Sequence, residues 1–340
     1  MEKTRIVYFD FLRIFAILAV VLAHAASIRY GMHYSNLFYY CILRWSVPIF
    51  VMISGALFLE PTKNITINNI VTKYIFRIAI IFIVWSLFYT SSSCFLRHTF
   101  DFSFFVNRFV VGHIHMWFLY MIATLYLITP LLRPITEKKD KNLLLYLLII
   151  WFIMTSVVSF IKFIIPSAVT IIDLIINTKM FFSFPVYFVG YFVLGYYLHN
   201  YVNIKNKFLT ILIFLVCTII IILGDIKYST NLSSFYTDLV SPFVVVTSIC
   251  IFLLIKNTCS QIKQTSNFIL KLSGLTLGVY LIHPIFIKIA SMMNFYNSIN
   301  SLLKDKDFIA VPVVFIVVSI CSFISIYLLS KIPIIKKYCL

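Results

Sequence analysis

Apolar stretches of about 20 residues recur along the 340-residue chain, each long enough to cross a hydrocarbon core about 30 Å thick. Inside a bilayer every backbone N–H and C=O must be satisfied within the protein, so only helices and closed barrels span it. The runs are continuous rather than alternating, which selects helices. The expected spans are 10–30, 36–59, 70–93, 113–134, 142–165, 180–199, 207–224, 236–255, 275–295 and 308–333. They predict an all-α polytopic integral membrane helix bundle of about ten transmembrane helices. With 62% hydrophobic and 11% charged residues, the chain is far more apolar than soluble domains, in which about a quarter of residues are charged.

A net charge of +17 would suit a nucleic-acid partner, but its distribution assigns it to the membrane. With ten crossings, fifteen Lys and Arg fall at the termini and in the loops on their side, against seven in the opposite loops. The positive-inside rule then places both termini in the cytoplasm. Membrane lipids are the expected surroundings, and nucleic acid is not an expected partner. The seven cysteines show neither a CxxC pair nor regular spacing, so neither a disulfide framework nor a metal site is expected. Residues 1–26 imitate a secretory signal, but Asp10 and Arg13 interrupt it, and an uncleaved first helix is expected. No linker or internal repeat divides the chain, which predicts one membrane-embedded domain over 1–340.

An ionisable residue inside a membrane span is costly and marks a functional candidate. Arg13 and His24 stand eleven residues apart in the first span, which on an α-helix returns to nearly the same face with a separation of about 16 Å. Arg13, near the cytoplasmic end, suits a phosphate; His24, in the outer half, suits proton transfer. Snorkelling of Arg13 and a helix-bridging role for His24 are the plain alternatives. Arg44 enters the second span ahead of Pro48 and Ser54-Gly55 and needs an acceptor or water there. Arg77 opens the third span and, with Arg13 and Arg133, would line a basic cytoplasmic vestibule.

The fourth span opens with His113-Ile114-His115-Met116-Trp117-Phe118-Leu119-Tyr120. Its two histidines lack a third ligand with matching spacing, and Trp117 and Tyr120 suit either an interfacial belt or a sugar ring. In the ninth span Tyr280 and His283 share a face at i, i+3 beside Pro284. The eleven acids, Asp10 among them, all fall in loops or at span edges. A proton-coupled carrier usually holds a carboxylate at membrane depth, and a glycosidase needs a facing pair.

Four stretches resemble the bacterial acyltransferase family 3 of membrane O-acyltransferases: Tyr8-Phe9-Asp10-Phe11-Leu12-Arg13 through His24, Val47-Pro48-Ile49-Phe50 through Ser54-Gly55-Ala56-Leu57, His115-Met116-Trp117-Phe118-Leu119-Tyr120, and Gly278-Val279-Tyr280-Leu281-Ile282-His283-Pro284. The spacing of Arg13 and His24 is the most specific element. The resemblance implies transfer of an acyl group, commonly acetyl from acetyl-CoA as co-substrate, to a hydroxyl of a glycan or glycolipid at the bacterial cell membrane. It implies that His24 is catalytic and that Arg13 and Arg77 bind the donor; Asp10, Arg44, His115, Trp117, Tyr280 and His283 are the expected substrate-binding or supporting residues. Where many members carry a fuller arginine cluster, this chain has Lys73 and Phe76. The competing expectations are a flippase or exporter of a surface polysaccharide or its lipid-linked precursor, and a non-catalytic subunit of a polysaccharide assembly complex.

Overall fold

The computed structural model describes residues 5–27, 34–97, 101–164, 183–228, 235–262, 265–304 and 306–338, among which there are helices and no strand. The helices include α1 Val7–Ala26, α2 Tyr34–Ile42, α3 Ser46–Phe58, α4 Phe76–Arg97, α5 Phe102–Val111, α6 Trp117–Glu137 and α7 Lys141–Phe152. After them come α8 Ser183–Tyr201, α9 Lys207–Tyr228, α10 Pro242–Cys259, α11 Asn267–Met292, α12 Phe295–Leu302, α13 Asp307–Leu329 and α14 Pro333–Tyr338. Among the described residues nine helical stretches are long and apolar enough to cross a membrane. The protein is therefore a polytopic helical membrane protein. Helix α8 is not one of the nine, because tyrosines and glycines dilute its apolar residues, yet it lies at the centre of the core with Tyr191 and Phe192 fully buried.

The expected second span is two helices. Pro48 has no N–H to give to the carbonyl of Arg44, the chain turns at residues 43–45, and α3 restarts with Pro48 in its first turn. Arg44 thus sits in a break between helices. The ninth span begins at Asn267 rather than 275, because the Ser266 hydroxyl accepts from the Ile269 N–H at 3.3 Å and caps a turn that the apolar run does not include. Helices α5 and α12 lie in connections expected to be loops. The first residues of the expected sixth span, 180–182, lie outside the described residues.

Packing is closest where α3 crosses α8. A Cβ on Gly55 would lie 1.7 Å from the Phe192 carbonyl oxygen, and one on Gly195 would lie 1.9 Å from that of Met52. Two backbones can approach this closely only where side chains are absent.

Arg133 does not line a vestibule with Arg13. It is buried, and its guanidinium donates to the carbonyls of Phe58, Glu60, Pro61 and Lys63 at 2.8–3.2 Å. The Phe58 carbonyl ends α3, where a C=O has no intrahelical partner and carries partial negative charge, and the other three belong to the connection that follows, so one buried cation satisfies both. Lys256 does the same for α8, donating to the carbonyls of Leu198, His199 and Val202 at 2.8–2.9 Å.

Candidate active site

Helix α1 runs through the bundle between α3, α11 and α13, and a cavity of about 500 Å³ opens along one of its faces. Arg5, Arg13, Tyr74 and Arg77 line one end; His24, His115, Trp117 and Tyr280 line the other. Phe50, Ile53, Phe118 and Ile122 form part of the apolar wall between them. The eleven-residue spacing on α1 therefore delivers Arg13 and His24 to one space at two depths, about 16 Å apart along the axis.

Asp10 holds the Arg13 end in place. Fully buried, its carboxylate accepts from Arg5 Nε and Nη2 at 2.8 Å each, from Ser273 Oγ at 2.6 Å and from Arg13 Nη1 at 3.3 Å. A buried carboxylate needs such partners. Asp10 is a supporting group rather than a cavity wall, and it ties α1 to α11 while restraining Arg13. Its partner Ser273 lies in the turn of α11 that precedes the apolar run, so sequence inspection passes over it.

At the other end the histidines gather from three elements. The His24 ring centroid lies 5.1 Å from that of His283, which is fully buried and lies 5.8 Å from the ring of His115. His283 Nδ1 is 2.8 Å from the Tyr280 carbonyl and 3.1 Å from that of Val279. Carbonyls only accept, so Nδ1 carries a proton. His113, from the same loop as His115, reaches it Nδ1 to Nδ1 at 2.7 Å. Gly112, at φ +76°, allows the reversal after α5 that starts this loop. The Tyr280 hydroxyl donates to the His115 carbonyl, and the Tyr89 hydroxyl donates to the Leu281 carbonyl at 2.6 Å, fixing the loop and α4 against α11.

Arg44 lies elsewhere. It lines a neighbouring cavity of about 480 Å³ with Tyr40, Tyr187 and Asp238. Its Nε donates to the Thr237 carbonyl at 2.5 Å and its guanidinium carbon sits 4.6 Å over the Tyr40 ring. Trp117 lines both spaces. Of the nine residues singled out from sequence, six line the His24 cavity, namely Arg13, His24, Arg77, His115, Trp117 and Tyr280. Asp10 and His283 stand behind its walls, and Arg44 is in the adjoining space. Tyr74 and Tyr126 also line the cavity, but in a chain with 21 tyrosines nothing set them apart.

Chemically, the arrangement offers cations at one end for an anionic group, an apolar middle, and an imidazole at the far end for proton or group transfer. Neither a curated protein nor a solved structure matches the chain. The model of one family, described as an acyltransferase domain, matches it over residues 6–331, nearly the whole length and both ends of the cavity. The chain accordingly belongs to acyltransferase family 3, and it is a membrane enzyme that transfers acyl groups.

Proposed function

We propose that the protein moves an acetyl group from acetyl-CoA to a hydroxyl of a cell-surface or lipid-linked glycan, acting as one domain in the cytoplasmic membrane of a bacterium. The observation that carries this reading is that Arg13 and His24 line one cavity at two depths. A donor with a charged head and a long arm fits that arrangement: the head meets Arg13 and Arg77, and the thioester reaches His24. The acceptor hydroxyl approaches from the Trp117 side, where Tyr40, Tyr187, Arg44 and Asp238 in the adjoining cavity suit the faces and hydroxyls of a sugar.

His24 takes the proton of the acceptor hydroxyl as its oxygen attacks the thioester carbonyl. The tetrahedral adduct collapses, the C–S bond breaks, and the imidazolium returns the proton to the departing CoA thiolate. His283, packed against His24 and held by the Val279 and Tyr280 carbonyls, fixes the plane of the catalytic ring.

The test is NMR of surface glycan from cells with wild type, His24→Ala or no protein, at matched membrane levels. Base-labile O-acyl signals should appear with wild type alone, and the transfer rate in membranes should fall at least about a thousandfold in the variant. Equal acylation in all three strains, with glycan retained inside cells lacking the protein, would overturn the enzyme reading in favour of a carrier.

A further inference from the structure

Arg77 stands at the mouth of two spaces. Besides the His24 cavity it lines a second one of about 380 Å³, formed with residues of α11, α13 and α14, around which Lys271, Lys331 and Lys336 also stand. All four cations are exposed, and no carboxylate is among the residues lining this space. Like charges gathered around a concave surface focus a positive potential into it. That potential favours a multiply charged anion over a scattered set of counterions.

The two spaces meet at Gly274, which lines both. A Cβ at Gly274 would meet nothing within 4 Å, so the absence of a side chain here serves no close helix contact and leaves open space. Arg77 also lines both, so the basic space adjoins the cavity that ends at His24.

We propose that Arg77, Lys271, Lys331 and Lys336 form an anion-binding antechamber for the phosphorylated nucleotide end of the acyl donor, whose acyl-bearing arm passes Gly274 into the His24 cavity. The proposal rests on the acyl-CoA reading above and extends it. It assigns the phosphates to lysines of α11 and of the C-terminal segment, of which Lys331 also sits 4.8 Å over the Tyr327 ring. The same four cations have the chemistry to hold a phospholipid headgroup, and the experiment separates the two sources of phosphate.

Protein in nanodiscs of phosphatidylcholine, with or without phosphatidylglycerol, would be assayed on O-deacylated surface glycan with acetyl-CoA and with acetyl-pantetheine, which lacks the nucleotide. The triple variant Lys271→Ala, Lys331→Ala, Lys336→Ala should raise KM for acetyl-CoA about tenfold, an effect that shrinks as salt rises, and should leave KM for acetyl-pantetheine within about twofold. The matching triple Lys→Arg variant, which keeps the charges, should restore the low KM. Gly274→Leu, which puts a bulky side chain into the opening between the two spaces, should impair both donors.

Binding of 3′,5′-ADP, the nucleotide end without arm or acyl group, is measured by calorimetry on the same samples and does not depend on turnover. Wild type should bind it and the triple Ala variant should not. If wild type transfers nothing from acetyl-CoA yet 3′,5′-ADP binds and the triple variant loses it, the antechamber stands and the acetyl-CoA reading falls. Transfer from acetyl-CoA with an unchanged KM in the triple variant would overturn the antechamber alone. Failure of wild type to bind 3′,5′-ADP, or a lysine effect seen only with phosphatidylglycerol, would also overturn it, the latter assigning the cations to a lipid headgroup.

Discussion

Asp10 shows how much of this site is built out of sight of any substrate. Its carboxylate is fully buried and gathers Arg5, Arg13 and Ser273, so replacing it leaves the buried Ser273 hydroxyl without its acceptor and loosens Arg13 without touching the cavity wall. Asp10→Asn should lower kcat/KM for the acyl donor by about tenfold to a hundredfold, since a hydrogen bond to a charged group contributes roughly 1.5–3 kcal/mol. Ser273→Ala should produce a smaller loss, and the two should not add, because both act through one carboxylate. Steady-state kinetics on the two single variants and the double would show this; additive losses would mean that Ser273 acts independently of Asp10. At this scale the sequence marks Arg13 and His24, which are expensive in a membrane and stand at a helical spacing that brings both to one cavity. It was opaque for Ser273, Tyr74 and Tyr126, which are cheap residue types whose placement depends on a tertiary contact.

The helices themselves follow from apolar runs, and their interruptions follow from chemistry that a hydropathy pattern does not weigh. Pro48 breaks the second span because it lacks an N–H, and Ser266 lengthens α11 because its hydroxyl caps one. The amphipathic α5 and α12 are too short to register as spans. The crossing of α3 and α8 was visible only as Ser54-Gly55, a pattern that is common in packed membrane helices and names no partner. Its tightness gives a direct prediction: Gly55→Ala and Gly195→Ala should each destabilise the protein by about 2 kcal/mol or more, read as a fall in unfolding temperature in detergent, whereas Gly274→Ala should be neutral. Arg133→Met should cost about 3 kcal/mol by stranding the carbonyls at the end of α3, with kcat affected less than stability. A large loss of kcat in a fully folded Arg133→Met protein would instead place that residue in the donor path.

At the level of the whole molecule, charge bias and apolar runs state the architecture but say nothing about which helices touch. That α1 is flanked by α3, α11 and α13 is a result of packing, and it decides which distant residues share a cavity. The charge bias still makes a measurable claim. Cysteines introduced at Lys3 and Lys336 should be labelled by a membrane-impermeant reagent only after the cytoplasmic face is exposed, and one at Lys304 should be labelled in intact cells. Labelling of the first two but not the third in intact cells would invert the orientation, and labelling of all three from one side would overturn the expected crossings.

A hollow that reaches from Arg13 to His24 also has a consequence for the membrane it sits in. Where the membrane holds an ion gradient, a space of this depth comes close to being a conduit for ions. Trp117, His115 and Tyr280, which line its far end, then act as insulation between two electrolyte solutions. Trp117→Ala should make proteoliposomes leak protons down an imposed gradient, as reported by an entrapped pH-sensitive dye, even with no substrate present.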